Sequence, residues 1–133
     1  MRKLFLIVVG FVLMQGCGLA IKETRQELDS LSISDTYRLG IKYYSEGFVN
    51  EAEFIYKEAL YKYYKLENPT DEDRRSYLWC LYEIAFINYI KNNFGASQEY
   101  LDKLFQEAGS FGDRLPQVVL GKKLALKMKY SKR

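Results

Sequence analysis

Two cysteines, a file of aromatic side chains and a cluster of lysines are the residues whose types and spacing bear on chemistry. Histidine is absent from all 133 positions, which removes serine-histidine and cysteine-histidine nucleophile systems, histidine-ligated zinc sites and histidine general bases. Cys17 and Cys80 are too few for a disulfide framework or a four-cysteine metal site. The acids, Glu23 and Asp71-Glu72-Asp73 among them, read as solvated helix starts rather than as a paired acid and base. No enzymatic activity, metal or cofactor is therefore expected. Aromatic residues make up 16% of the chain, with 12 Tyr, 8 Phe and 1 Trp. Trp79, Tyr82, Phe86 and Tyr89 recur at three and four, one stripe of a helix.

The elements that must position these side chains begin with a leader. Arg2 and Lys3 precede an uncharged apolar run of 11 residues, Leu4 to Met14. That run is short of the roughly 20 residues a spanning helix needs, and reads as a secretory signal. It stops at Gly16-Cys17, not at a small-x-small cleavage site. The junction resembles the lipobox of bacterial lipoproteins, with Met14 and Gln15 in the two preceding places. The resemblance implies that 1–16 is a lipoprotein signal peptide and that Cys17 becomes the acylated first residue. Stable anchoring by two or more acyl chains would follow. Cys80 would then be a lone thiol, tolerable in an exported protein if buried.

Beyond the leader the apolar residues recur at three and four, and the spacing predicts an all-α chain. A brief tether and short helix cover 17–32, with Leu28 and Leu31 as the apolar positions of a helix over 21–31. Ser34 or Asp35 caps a helix to about Ser45, and Gly47 ends it. Further helices are predicted over about 50–65, from Thr70 to about Lys91, and over 95–107. Thr70 and Asp73 form a capping box for the long one. Asp113 is expected to cap a last helix to about Lys129, with Pro116 in its first turn.

The pattern Leu39-Gly40, Tyr43, Gly47, Ala52, Tyr56, Ala59 resembles the tetratricopeptide repeat. A degenerate second copy, Ile84-Ala85, Asn88, Ser97, Leu101 and Leu104, follows at an offset of 45 residues. Leu120-Gly121 begins a third motif that has no partner helix behind it. The resemblance implies a short stack over 33–130, about two repeats plus a C-terminal capping helix. In that family the first helix of each pair lines a concave groove. Mapped here, the groove-facing residues are Tyr37, Ile41 and Tyr44 from the first pair and Trp79, Tyr82, Phe86 and Tyr89 from the second. Such a stripe suits a bound polypeptide, yet it equally suits the packed interior of a central helix. The two readings make opposite predictions for Trp79→Ala.

Charge is segregated. Residues 114–133 carry seven basic residues and no acid, while 17–113 hold 11 basic and 17 acidic ones. Lys122, Lys123 and Lys127 thus offer a basic face to an acidic partner or to anionic headgroups, or form the outer side of a cap. Nucleic acid would be in the wrong compartment. A lipid anchor joined to such a stack is most similar to the BamD-type component of the outer-membrane β-barrel assembly machinery. That likeness implies a protein-binding adaptor on the periplasmic face of the outer membrane, contacting the barrel-forming subunit or unfolded barrel precursors. The alternative is a surface-exposed, secretion-associated or pilus-associated lipoprotein of the same form.

Overall fold

The computed structural model describes residues 19–110 and 112–131, so the leader, Cys17, Lys132 and Arg133 lie outside the described residues. The described chain is all-α: α1 (Arg25–Ser30), α2 (Ile33–Ser45), α3 (Val49–Tyr64), α4 (Asp71–Ile90), α5 (Phe94–Ala108) and α6 (Pro116–Ser131). A 3-10 turn at Gly112–Arg114 precedes α6, and no strand occurs among the described residues.

Side-chain caps set several helix starts. Thr70 accepts from the Asp73 amide at 3.1 Å while the Asp73 carboxylate takes the Thr70 amide at 3.0 Å, the expected capping box. Thr24 and Glu27 make the same exchange for α1. That box confines α1 to Arg25–Ser30, shorter than the stretch 21–31 expected from its apolar residues. The cap of α2 also differs from expectation. Ser32, rather than Ser34 or Asp35, accepts the Asp35 amide at 3.0 Å and, through its carbonyl, the Thr36 hydroxyl at 2.7 Å. Nor does Asp113 cap the last helix. The 3-10 turn, closed from the Leu115 amide to the Gly112 carbonyl, delays the start to Pro116. Proline suits that first position because its missing N–H would have no helical acceptor there. Asp113 instead accepts from Lys122 Nζ at 2.8 Å, which holds its carboxyl below the usual range.

Two helical hairpins repeat in backbone detail at the 45-residue offset. α2 and α4 end at Ser45 and Ile90, and α3 and α5 begin at Val49 and Phe94. The intervening turns carry Gly47 at φ +89° and Asn92 at φ +62°. Asparagine is one of the few side chains that tolerates this left-handed conformation. The Phe48 amide reaches the Tyr43 carbonyl at 2.9 Å, and the Asn93 amide reaches that of Asn88 at 2.8 Å.

α4 is the hub, packed against α2, α3, α5 and α6. Its Tyr77, Cys80, Leu81, Ile84, Ala85 and Ile87 are wholly buried. Burial pushes the Cys80 thiol well above its ordinary range, so it is an inert core residue. The hairpins close around small residues. Gly40 lies against the buried ring of Tyr56, and Ser97 Oγ donates to the Ala85 carbonyl at 2.7 Å. Gly121 packs on Leu101 and Leu104, so the third Leu-Gly motif closes back on the preceding helix.

A Cβ added at Gly40 would stand 2.3 Å from Tyr56 Cε1, whereas one at Gly95 meets nothing within 4 Å. Gly40→Ala is therefore expected to lose about 1–3 kcal/mol by overpacking, despite alanine's better helix propensity. Gly95→Ala is expected to gain up to about 1 kcal/mol. Urea midpoints of the two variants check the pair; a stabilised Gly40→Ala would contradict the close approach.

The N-terminal segment is fastened to the body. Lys62 Nζ donates to the Leu28 carbonyl, to that of Leu31 at 2.7 Å and to Thr36 Oγ1 at 3.2 Å, closing the end of α1. Desolvation lowers the Lys62 pKa. Arg25 pairs with Glu58 at 3.0 Å. Ahead of α1, the Ala20 amide donates to Glu51 Oε1 at 3.1 Å and the Lys22 amide to the Tyr43 hydroxyl at 2.7 Å. That hydroxyl donates in turn to Glu23 at 2.6 Å.

Candidate functional site

α2 and α6 flank α4, and the aromatic residues of α4 run between them. Trp79 meets Tyr82 edge-on with ring centroids 6.0 Å apart, Tyr82 stacks toward Phe86 at 6.2 Å, and Phe86 approaches Tyr89 at 6.4 Å. The file continues to Phe94 of α5, stacked on Tyr89 at 5.7 Å. All four residues of the stripe are half-buried, in contrast to the wholly buried opposite side of the same helix.

From α2, Tyr37 lies 6.0 Å from the Tyr56 ring, and Tyr44 is close enough to raise the pKa of Tyr82 after burial has done so. Desolvation holds the Tyr37 hydroxyl protonated as well. The Tyr37 and Tyr82 phenols are thus neutral donors and acceptors at physiological pH. Ile41 is 42% exposed, at the open margin of α2. From α6, Lys123 and Lys127 join Leu120 and Leu124 against Tyr82 and Phe86 around a cleft of about 100 Å³. Lys122 does not join them. One residue turns a helix by 100°, and Lys122 faces α5, bonded to Asp113 and lining a larger hollow with Phe94 and Phe105. Tyr37, Tyr44, Tyr82 and Phe86 thus form one face with Lys123 and Lys127 at its α6 edge.

Sequence reasoning overlooked Glu83, the central charge of this face. It sits on α4 between Trp79 and Phe86, mostly buried, close enough to Tyr37, Tyr56 and Tyr82 to shift their ionisation. Among the described residues no hydrogen bond or ion pair reaches its carboxylate. Burial alone pushes its pKa up to about 7. A signal was present: Glu83 is the only charged residue between Ser76 and Ile90. A lone acid in an otherwise uncharged helix must either reach solvent or bear a desolvation cost.

The chain matches no family model, no curated protein and no solved structure. What the face can do therefore rests on its own chemistry. The face offers aromatic edges and faces, phenol hydroxyls, an unpaired carboxylate and two lysines as contact groups. Among the described residues no group of three or more acids or cysteines stands close enough to hold a metal ion. No described helix is long and apolar enough to cross a membrane.

Proposed function

We propose that the chain is a lipid-anchored, non-enzymatic adaptor of the tetratricopeptide type that holds a polypeptide on its aromatic face. Its place is the periplasmic side of the outer membrane, as an accessory subunit of β-barrel protein assembly. The observation that carries the binding role is the half-exposed file Trp79–Tyr82–Phe86–Tyr89, with Glu83 unpaired inside it and Lys123 and Lys127 along its edge. The hairpin duplicated at 45 residues supports the repeat reading, with Gly40 and Ala85 at equivalent close approaches. The lipobox-like Gly16-Cys17 supports the anchor, and likeness to the BamD-type component supports the assembly role.

Such a face works by desolvation. Aromatic side chains of a partner segment cover the file, each anchor worth about 2 kcal/mol when fully enclosed. Glu83 receives a basic group, and the two lysines receive an acidic one. Tyr37 and Tyr44 supply hydroxyls for main-chain groups of the bound segment.

A mild-detergent pull-down of the tagged chain from its native membranes, read by mass spectrometry, tests the proposal. The expected result is stoichiometric recovery of a large outer-membrane barrel protein with periplasmic repeat domains. Recovery of secretion, pilus or host proteins in its place would overturn the assembly role in favour of the alternative lipoprotein class.

A further inference from the structure

Four features from distant parts of the sequence meet at one end of the molecule. The two hairpin turns lie together there, since Lys91 Nζ reaches Asn50 Oδ1 at 2.5 Å and Glu53 Oε2 at 3.3 Å. The segment leading in from Cys17 is fixed there too, by Ala20 on Glu51 and Lys22 on Tyr43. α6 starts at the opposite end, where Gln117 Nε2 meets the Arg75 carbonyl at 3.4 Å. Its last turns come back to Phe94, with Leu126, Met128 and Lys129 lining one hollow beside that ring.

This end exposes apolar side chains, with two lysines of α6 beside them. Phe48, Ile90, Leu126 and Tyr130 are 39%, 47%, 53% and 65% exposed. Lys127 and Lys129 carry no ion pair among the described residues. Of the neighbouring acids, Glu23 is engaged by the Tyr43 hydroxyl, Glu51 by the Ala20 amide and Glu53 by Lys57 and Lys91, while Glu46 and Glu99 are exposed. The far end presents charges of both signs to solvent, Glu67, Asp71 and Glu72 together with Arg74 and Arg75.

Chain length decides which surface meets this end. Two residues, Gly18 and Leu19, separate Cys17 from Ala20, so the three steps between them span at most ~11 Å. An acyl chain on Cys17 places that residue at headgroup level. The hydrogen-bonded start of the domain then has no slack with which to stand away from the bilayer. The far end of α4 lies ~30 Å off along the helix.

We propose that this end, built from Phe48, Ile90, the last turns of α6 with Lys127 and Lys129, and the segment from Ala20, is a seat on an anionic phospholipid surface. It stands the helices upright, so that the aromatic file runs from Trp79, far from the bilayer, down to Tyr89 beside it. The inference rests on the lipid anchor of the proposed function, and it adds a fixed orientation to what would otherwise be a tethered body.

The test uses the acylated full chain, reconstituted into vesicles of phosphatidylethanolamine and phosphatidylglycerol at about 3:1. Nitroxides go on single cysteines introduced as Asn93→Cys or Glu67→Cys, position 93 being exposed with an ordinary negative φ, Cys80 being buried and Cys17 blocked by its lipid. Power-saturation spectroscopy is expected to find the label at 93 in the headgroup zone and that at 67 in water. Lys127→Glu/Lys129→Glu is expected to release the label at 93. The two lost lysines alone, at about fivefold each, shift the seated-to-free ratio by roughly 25-fold. An acylated chain with both labels in water, or with 67 shielded in place of 93, overturns the seat while leaving the anchor intact. An unmodified Cys17 peptide in the mass spectrum, with the chain absent from membranes, overturns anchor and seat together. Unchanged shielding in the charge-reversed variant overturns the headgroup contact.

Discussion

Truncating Tyr77 to alanine is expected to cost about 3–5 kcal/mol, while truncating Trp79, two positions further along the same helix, leaves stability within about 1 kcal/mol of the parent. Tyr77 is wholly buried, stacked on Tyr63 with centroids 4.0 Å apart and bonded hydroxyl to hydroxyl with Tyr64 at 3.2 Å. Removing its ring leaves a cavity bounded by α3, α4 and the rings that packed on it. Trp79 is half-buried, keeps an edge-on contact with Tyr82, and is not among the side chains packed against the buried cluster. The loss at Trp79 belongs to binding, about 2 kcal/mol or roughly thirtyfold in affinity for the captured partner. Thermal melts of both variants, with Trp79→Ala repeated in the partner pull-down, check the pair. A collapsed melting temperature for Trp79→Ala would return the stripe to the core and remove the groove.

The contrast between those neighbours explains what was legible in the residues. Helix existence was, because capping and turn chemistry are local: Thr70 with Asp73 and the glycine at 47 announce themselves in four-residue windows. The 45-residue duplication was visible through Leu39-Gly40 against Ile84-Ala85. Its turn was not, because Asn92 replaces the glycine while adopting the same left-handed φ. The division of α4 into core and face is a tertiary property. Stripes at three and four cover both sides of a helix apolar nearly all round, and only the positions of α2, α3 and α6 decide which side they enclose. The same holds for the lysines. Lys122, Lys123 and Lys127 share a charge cluster in sequence, yet the helix turn sends the first toward Asp113 and the other two toward Phe86. Lys62, unremarkable in sequence, became the clamp on α1 because the fold brings its Nζ, from α3, onto the Leu28 and Leu31 carbonyls at the end of that helix.

Replacing Glu83 by glutamine is expected to make the protein more stable and a poorer binder, and the pH dependence separates the two effects. Burial raises the carboxyl from an ordinary 4.5 to about 7, so the folded state prefers the protonated form. A group with a raised folded pKa contributes its stability below the unfolded value and loses it as pH rises through the folded one. Between pH 4.5 and 8, Glu83 therefore withdraws about 2–3 kcal/mol, allowing for its partial contact with solvent. Glu83→Gln keeps the shape, removes the ionisation and should be more stable than the parent by that amount at pH 8, with the two converging near pH 4. Urea unfolding at both pH values measures it, and parallel curves for parent and variant would refute the buried charge. A residue that lowers stability at neutral pH, on the one half-exposed side of the central helix, is explicable if a ligand restores what burial removes. A basic side chain seated among Tyr37, Tyr82 and Phe86 would do so, pulling the Glu83 pKa back down on binding. Probe peptides carrying arginine between aromatic residues should thus bind more tightly at pH 8 than at pH 5.5, and the glutamine variant should lose that preference together with its pH-dependent instability.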